Sequence, residues 1–349
     1  MYRLADLHEN AGIFKNNASK EYLFPIAWGK KAKVSILALG DVGGTLLTGL
    51  VLLGGNEIAS IGIFDVNNNN AKRYEAEMNQ IAYPPILSSS NSDSNNGFGS
   101  KFDSDSISFK CMPEAFVIDN EEELFDCDIF IFCASKGVPA VGSNVSDVRM
   151  VQYEENKKII EHYAKLAPSK CFSGVFAVVS DPVDPLCKAA YLASGLNPGQ
   201  FHGFGLGVMN ARAIYYAKKE KRFEQYAIYG RAFGPHGQDL VLANSISNYD
   251  DELSKELTER VTVENLRIRE MGFKPFIAPA YSSGVLSILS MLRGEWHYSS
   301  KYIGDGSDGA FFGALNRVAD TKIEFENVLL PEKLLARIQL SYENLRKLD

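Results

Sequence analysis

The feature that most restricts this fold is a strand, a tight turn, a helix and a second strand lying close together near the N-terminal end. Residues 33–40, KVSILALG, form a short apolar run ending in glycine, the pattern of a buried strand. Residues 42–53 carry apolar side chains at helical spacing, and 59–66, ASIGIFDV, read as a second strand. Such a βαβ unit, within one sheet, crosses over right-handed with its strands parallel.

The alternation continues. A buried strand at 127–134, CDIFIFCA, precedes a Gly/Pro/Ser loop to about 147, a helix over 148–166 and a strand at 171–180. Strands alternating with helices argue a doubly wound parallel sheet. The first 32 residues precede any strong strand and read as an arm, and 88–106, rich in Ser, Asn and Asp, reads as a loop. Beyond 181 the pattern changes. A further βα step (FHGFGL, then a helix from Met209) leads to a strand near Tyr226–Tyr229. A helix bearing Leu253, Leu257 and Val261 follows, then a helix over 282–292 and short strands near 300–327. The final amphipathic helix carries Leu334, Leu335, Ile338, Tyr342 and Leu345. The expected architecture is α/β: an arm over 1–32, a doubly wound parallel sheet over 33–180, and an α+β domain over 181–349.

Composition excludes several classes of partner. The 349 residues suit two domains with a shared core or one large α/β domain, and a hydrophobic share of 46% with 23% charged is that of an ordinary soluble globule. A net charge of -7 argues against nucleic acid, which needs a basic face. Five cysteines, odd in number and without a close pair, favour free thiols in a reducing compartment. The N-terminus lacks the apolar core of a signal peptide, and no apolar window approaches the length of a membrane span. The expected location is therefore cytoplasmic. The histidines have no ligand spacing with the cysteines, so no metal site is expected.

The turn ALGDVGG sets Ala38, Gly40 and Gly43 where a G-x-G-x-x-G fingerprint has three glycines, with Asp41 and Val42 between them. Gly40 lets backbone approach a pyrophosphate, and Gly43 lets helix pack on strand. The phosphates then meet the N–H groups and dipole of the helix N-terminus. Asp65, 22 residues after Gly43 at the end of the next strand, can bond both ribose hydroxyls and repel a 2′-phosphate, which favours NAD over NADP. Ala38 departs from the fingerprint.

Four further segments end at predicted strand C-termini, where ligands bind in such sheets. They carry Ala134 and Ser135 followed by Arg149 in the next helix, then Asp181-Pro182-Val183-Asp184, then Met209 to Arg212, and finally Gly234-Pro235-His236-Gly237. The order and spacing of Arg149, Asp181, Arg212 and His236 resemble those of the lactate/malate dehydrogenase family, from about Lys33 to the C-terminus. The resemblance implies a Rossmann fold, NAD, a 2-hydroxy/2-oxo acid substrate and a homodimer or homotetramer. It assigns Arg212 to the substrate carboxylate, His236 to proton transfer, Arg149 to the carbonyl, and Ser282 or Ser283 to the substrate pocket. Ala134, Ser135 and Asp181 fall where the family holds its cofactor. The residue types suit that chemistry, because a guanidinium forks onto a carboxylate and imidazole titrates near neutrality.

Two departures stand out. The family's aspartate partner of the histidine is here Met209, and its asparagine before the Pro-Val-Asp run is here Asp181. Either Asp181 replaces the lost partner and orients His236, or the chain is a catalytically weak NAD-binding homologue serving as sensor or structural subunit. A reductase of another small carbonyl compound is a third possibility. The run SKGVPAVGSNVSDV contains no arginine before Arg149, which favours a lactate-like monocarboxylate over malate.

Overall fold

Six parallel strands form the centre of the molecule: β1 (Ala32–Leu37), β2 (Ile58–Phe64), β3 (Glu114–Val117), β4 (Ile129–Phe132), β5 (Val175–Val178) and β6 (Phe201–Gly203). Their spatial order is β3-β2-β1-β4-β5-β6, the doubly wound arrangement expected from the sequence. This computed structural model describes residues 2–3, 24, 30–84, 86–87, 107–108, 111–136, 148–319 and 322–348. The loop expected at 88–106 lies outside the described residues, as do most of the arm and residues 137–147.

The sequence dictates this centre directly. All four residues of β4, IFIF, and of β5, VFAV, are buried, which requires cover on both faces of the sheet. Helices α1 (Asp41–Leu53), α2 (Asn68–Met78), α3 (Val148–Ser169), α4 (Val183–Ser194) and α5 (Leu206–Lys219) supply much of it. Leu46, Leu47 and Leu50 of α1 pack with Ile36 and Ile131 in one core, whereas Ile160 of α3 and Leu186 of α4 pack with Phe130 and Phe176 in another. Strand order reverses between β1 and β4, so their C-terminal ends open a crevice.

Past α5 the structure corrects the sequence reading twice. Tyr226–Tyr229 is a helical turn, because the Tyr229 and Gly230 amides donate back to Gln225 and Tyr226. The strand is instead β7 (Arg231–Phe233), antiparallel to β8 (Val241–Ala243). The strands near 300–327 are not short either. β9 (His297–Asp305) and β10 (Asp308–Ala319) are nine and twelve residues long. With β11 (Lys322–Phe325) they extend the central sheet antiparallel from β6, giving nine strands among the described residues. β9 disguised itself by burying Ser299, Ser300 and Lys301, polar side chains that break the apolar signature of a buried strand.

Helix α6 (Asp251–Glu270) starts where the Asp250 side chain accepts from the Leu253 amide at 2.9 Å, and it buries Leu257, Val261 and Glu264. A π-helical turn, Pro279–Val285, runs into α7 (Leu286–Leu292). The last helix, α8 (Glu332–Arg346), buries Leu334, Leu335, Ile338, Tyr342 and Leu345 as its periodicity predicts. Of the arm, Tyr2–Arg3 pairs with Leu329–Leu330, and Phe24 is buried in the α1 core.

Candidate active site

A cleft of about 470 Å³ opens at the C-terminal ends of β1, β4, β5 and β6. Ala38, Gly40, Asp41, Val42, Ser135, Asp181, Arg212, His236 and Ser283 all line it, although they come from six separate segments of the chain. Gly43, Asp65, Ala134 and Ser282 do not line it.

The β1–α1 turn has the build of a phosphate cradle. Gly40 caps α1 with no side-chain hydrogen bond, so the first helical N–H groups have no side-chain acceptor there. A Cβ placed on Gly40 would meet no protein atom within 4 Å, whereas one on Gly43 would lie 1.9 Å from the Ala38 carbonyl oxygen. Ala38 itself holds a left-handed φ of 72°, the conformation for which the fingerprint uses glycine. Asp65 ends β2 as expected, and its carboxylate braces the turn by accepting from the Leu39 amide at 2.8 Å and the Asn67 amide at 2.9 Å. Asp41 adds a negative charge at the helix N-terminus, answered by the Lys274 ammonium at 3.2 Å. The open Gly40 face and the close Gly43 packing fit a dinucleotide.

Beside this turn lies a histidine–aspartate pair. His236 Nδ1 sits 2.8 Å from Asp181 Oδ1, although the two are 55 residues apart in sequence. An ionised carboxylate accepts only, so the ring carries its proton on Nδ1, and Nε2 is left for a substrate. Both residues are held by their surroundings. Gly234, with φ of 86°, starts the His236 loop in a conformation other residues avoid, and its amide donates to the Gly313 carbonyl of β10 at 2.9 Å. On the other side the fully buried Asn156 of α3 donates to the Asp181 carbonyl at 2.8 Å and accepts from the Lys136 amide at 2.7 Å. Ser180 donates to the Ala134 carbonyl at 2.7 Å, locking the ends of β4 and β5 together. Next to the pair, burial pushes the Asp184 carboxyl up to about 7, against the opposing pull of Ser300 and His236, and its Oδ1 has no partner among the described residues.

Arg212 is buried at the cleft wall. Its Nη1 donates to the Val261 carbonyl at 3.4 Å and approaches the Met209 sulfur at 3.6 Å, and no carboxylate among the described residues lies within ion-pair distance. Burial draws its guanidinium down from the ordinary arginine value, while Glu264 and Asp181 nearby favour the charge. Met209 is itself buried in an apolar cluster with Val208 and Leu257, where a carboxylate would be costly. Ser283 spends its hydroxyl on the scaffold: it donates to the Gly205 carbonyl at 2.7 Å and accepts from the Val208 amide at 2.8 Å. The Arg149 backbone lies in the first turn of α3, and its side chain falls outside the described residues.

The lining residues that sequence reasoning missed include the polar side chains Gln152, Asn265, Arg269 and Lys274. On a helical pattern Asn265 and Arg269 read as a solvated face, and only the packing of α6 across the cleft reveals them.

No family model matches the chain. An L-lactate dehydrogenase of Treponema denticola is 29% identical over 222 residues, a stretch covering 63% of this chain and 59% of that protein. Among solved structures, a lactate dehydrogenase from a Medee basin deep-sea metagenome library superposes with a TM-score of 0.68 at 18% identity, covering 91% of this chain and 98% of that one. The malate dehydrogenase of Cryptosporidium parvum gives a TM-score of 0.66 at 18% identity, with coverages of 91% and 98%. These structural likenesses establish the shared fold. In sequence the matched stretch is similar to L-lactate dehydrogenases, and the order Arg149, Asp181, Arg212, His236 along the chain resembles that of the lactate/malate dehydrogenase family, of which the chain is a divergent relative.

Proposed function

We propose that this protein is an NAD-dependent 2-hydroxyacid dehydrogenase in which Asp181 has taken over the role of the family's missing aspartate. The observation that carries this reading is the 2.8 Å contact between His236 Nδ1 and Asp181 Oδ1 inside the cleft. When bound, NAD supplies the hydride acceptor. The guanidinium of Arg212 forks onto the substrate carboxylate, the one anion its surroundings lack. Oxidation of the hydroxyl frees a proton, which His236 Nε2 accepts, while Asp181 holds the tautomer and stabilises the imidazolium. In the reverse direction the same nitrogen returns the proton, and Arg149 polarises the carbonyl. The fit of the turn to NAD rests on Gly40, Gly43 and Asp65. The loop before Arg149 has no arginine, so that loop by itself suits a lactate-like monocarboxylate, and a second carboxylate on the substrate would need a cation on another element.

Met209 and Ala38 motivate a second reading, a catalytically weak NAD-binding homologue. NADH oxidation, followed by absorbance against a panel of 2-oxo acids with NADH binding measured in parallel, separates the two. Turnover of one acid supports the dehydrogenase. Tight NADH binding without turnover on any acid favours the weak homologue. A cytoplasmic location and a homodimer or homotetramer belong to the same proposal. They rest on the family's habits and the five free cysteines, and no helix among the described residues is long and apolar enough to cross a membrane.

A further inference from the structure

We infer that α6 carries a second anion subsite, built from Arg269 with Asn265, which selects 2-oxo acids whose side chain ends in a carboxylate. The inference rests on the dehydrogenase reading above and adds a specificity residue to it, on a rigid helix rather than on the loop before Arg149.

Among the described residues, four lysine and arginine side chains line the cleft: Lys136, Arg212, Arg269 and Lys274. Two are already answered, Lys136 by Glu155 at 3.8 Å and Lys274 by Asp41 at 3.2 Å. Arg212 serves the first carboxylate. Arg269 forms no ion pair among the described residues. A half-buried guanidinium without a counter-ion, in the wall of a cleft that already holds one anion site, marks a second.

Helical geometry places it on the substrate side. Val261, Asn265 and Arg269 follow one another at four-residue steps, so they share a face of α6 at intervals of about 6 Å. Val261 is the residue whose carbonyl anchors Arg212. One turn on, the Asn265 Oδ1 is buried and has no hydrogen-bond partner among the described residues. Its unmet oxygen is an acceptor, so it can take an N–H of the Arg269 guanidinium and hold that group over the cleft, which leaves the Asn265 NH2 to donate to a bound carboxylate. One turn further, Arg269 can fold its flexible arm back over Asn265. The row therefore runs away from the Arg212 site along one wall of the cleft, and an Arg269 side chain folded back by one turn brings its guanidinium to about 6 Å along the helix from Val261. Lys274 does not belong to this row. The chain leaves α6 after Glu270 and turns at Gly272, φ 87°, before Lys274 reaches Asp41 in the phosphate turn.

The test compares kcat/KM for oxaloacetate and 2-oxoglutarate with that for pyruvate and 2-oxobutyrate, in the full-length protein and in Arg269→Gln and Arg269→Lys, with NADH affinity followed by fluorescence. The expected result is a preference for the diacids that falls ten- to a hundredfold in Arg269→Gln and is partly restored in Arg269→Lys. A diacid-to-monoacid ratio that Arg269→Gln leaves unchanged, or a native preference for monoacids, overturns the inference while the dehydrogenase stands. Loss of NADH affinity with the ratio unmoved assigns Arg269 to the cofactor and also overturns it. Absence of turnover on all four acids, with NADH bound, overturns the dehydrogenase reading and this inference with it.

Discussion

Replacing Asp181 by Asn tests the central claim, because the substitution keeps shape and removes only charge. In the structure Asp181 Oδ1 meets His236 Nδ1 at 2.8 Å, with the histidine side chain 16% exposed and the aspartate 48%. A hydrogen bond to a charged group contributes about 1.5–3 kcal/mol, and the half-exposed carboxylate puts this one near the lower end. The asparagine amide can also donate, which allows the ring to place its proton on Nε2, the nitrogen that must accept one. Together these effects raise the barrier by about 2–4 kcal/mol, a loss of roughly thirty- to a thousandfold. The assay is steady-state kinetics with the best acid of the panel, alongside NADH affinity by fluorescence. The fall belongs in kcat and exceeds any change in NADH affinity. Turnover within about threefold of the native protein would falsify the partner exchange.

The other predictions follow from particular contacts. Met209→Asp sets a carboxylate where the sulfur now lies 3.6 Å from Arg212 Nη1, so it competes with the substrate carboxylate; KM for the acid rises tenfold or more, and an unchanged KM contradicts the placement of Arg212. Gly43→Ala drives a Cβ to 1.9 Å from the Ala38 oxygen and lowers the melting temperature, a cost of about 1–3 kcal/mol or more. Gly40→Ala meets no protein atom, so it leaves the melting temperature in place and weakens NADH binding; the opposite ranking of the two variants rules out the turn as a phosphate cradle. Burial draws His202 well below the ordinary histidine value and His297 down to about 3, with the Lys301 charge adding to both. Unfolding lets both rings take up protons below a pH of about 6.5, and the Asp184 carboxyl, which holds a proton in the fold up to about 7, offsets only one of the two, so the unfolded state binds more protons and stability falls on acidification. Each ring contributes up to about 1.4 kcal/mol per pH unit. Urea midpoints that stay level as pH is lowered through this range contradict that account.

The alternation of buried runs with helical spacing determined the parallel core, because a strand covered on both faces must be continuously apolar, as IFIF and VFAV are. Local chemistry likewise placed the β1–α1 turn and the glycine-flanked His236 loop, since backbone conformation there depends on residues a few positions apart. Three features were beyond that reach. The β9 strand joins the central sheet although Ser299, Ser300 and Lys301 are polar, because neighbours distant in sequence bury them. Asn265 and Arg269 look like a solvated helix face until α6 is laid across the cleft. The sequence posed Asp181 and Met209 as a puzzle with two answers, a replaced partner or a weakened site. That Asp181 touches His236 across 55 residues was settled only when the ends of β5 and the His236 loop were brought side by side, because contact between distant segments depends on tertiary packing and not on local sequence.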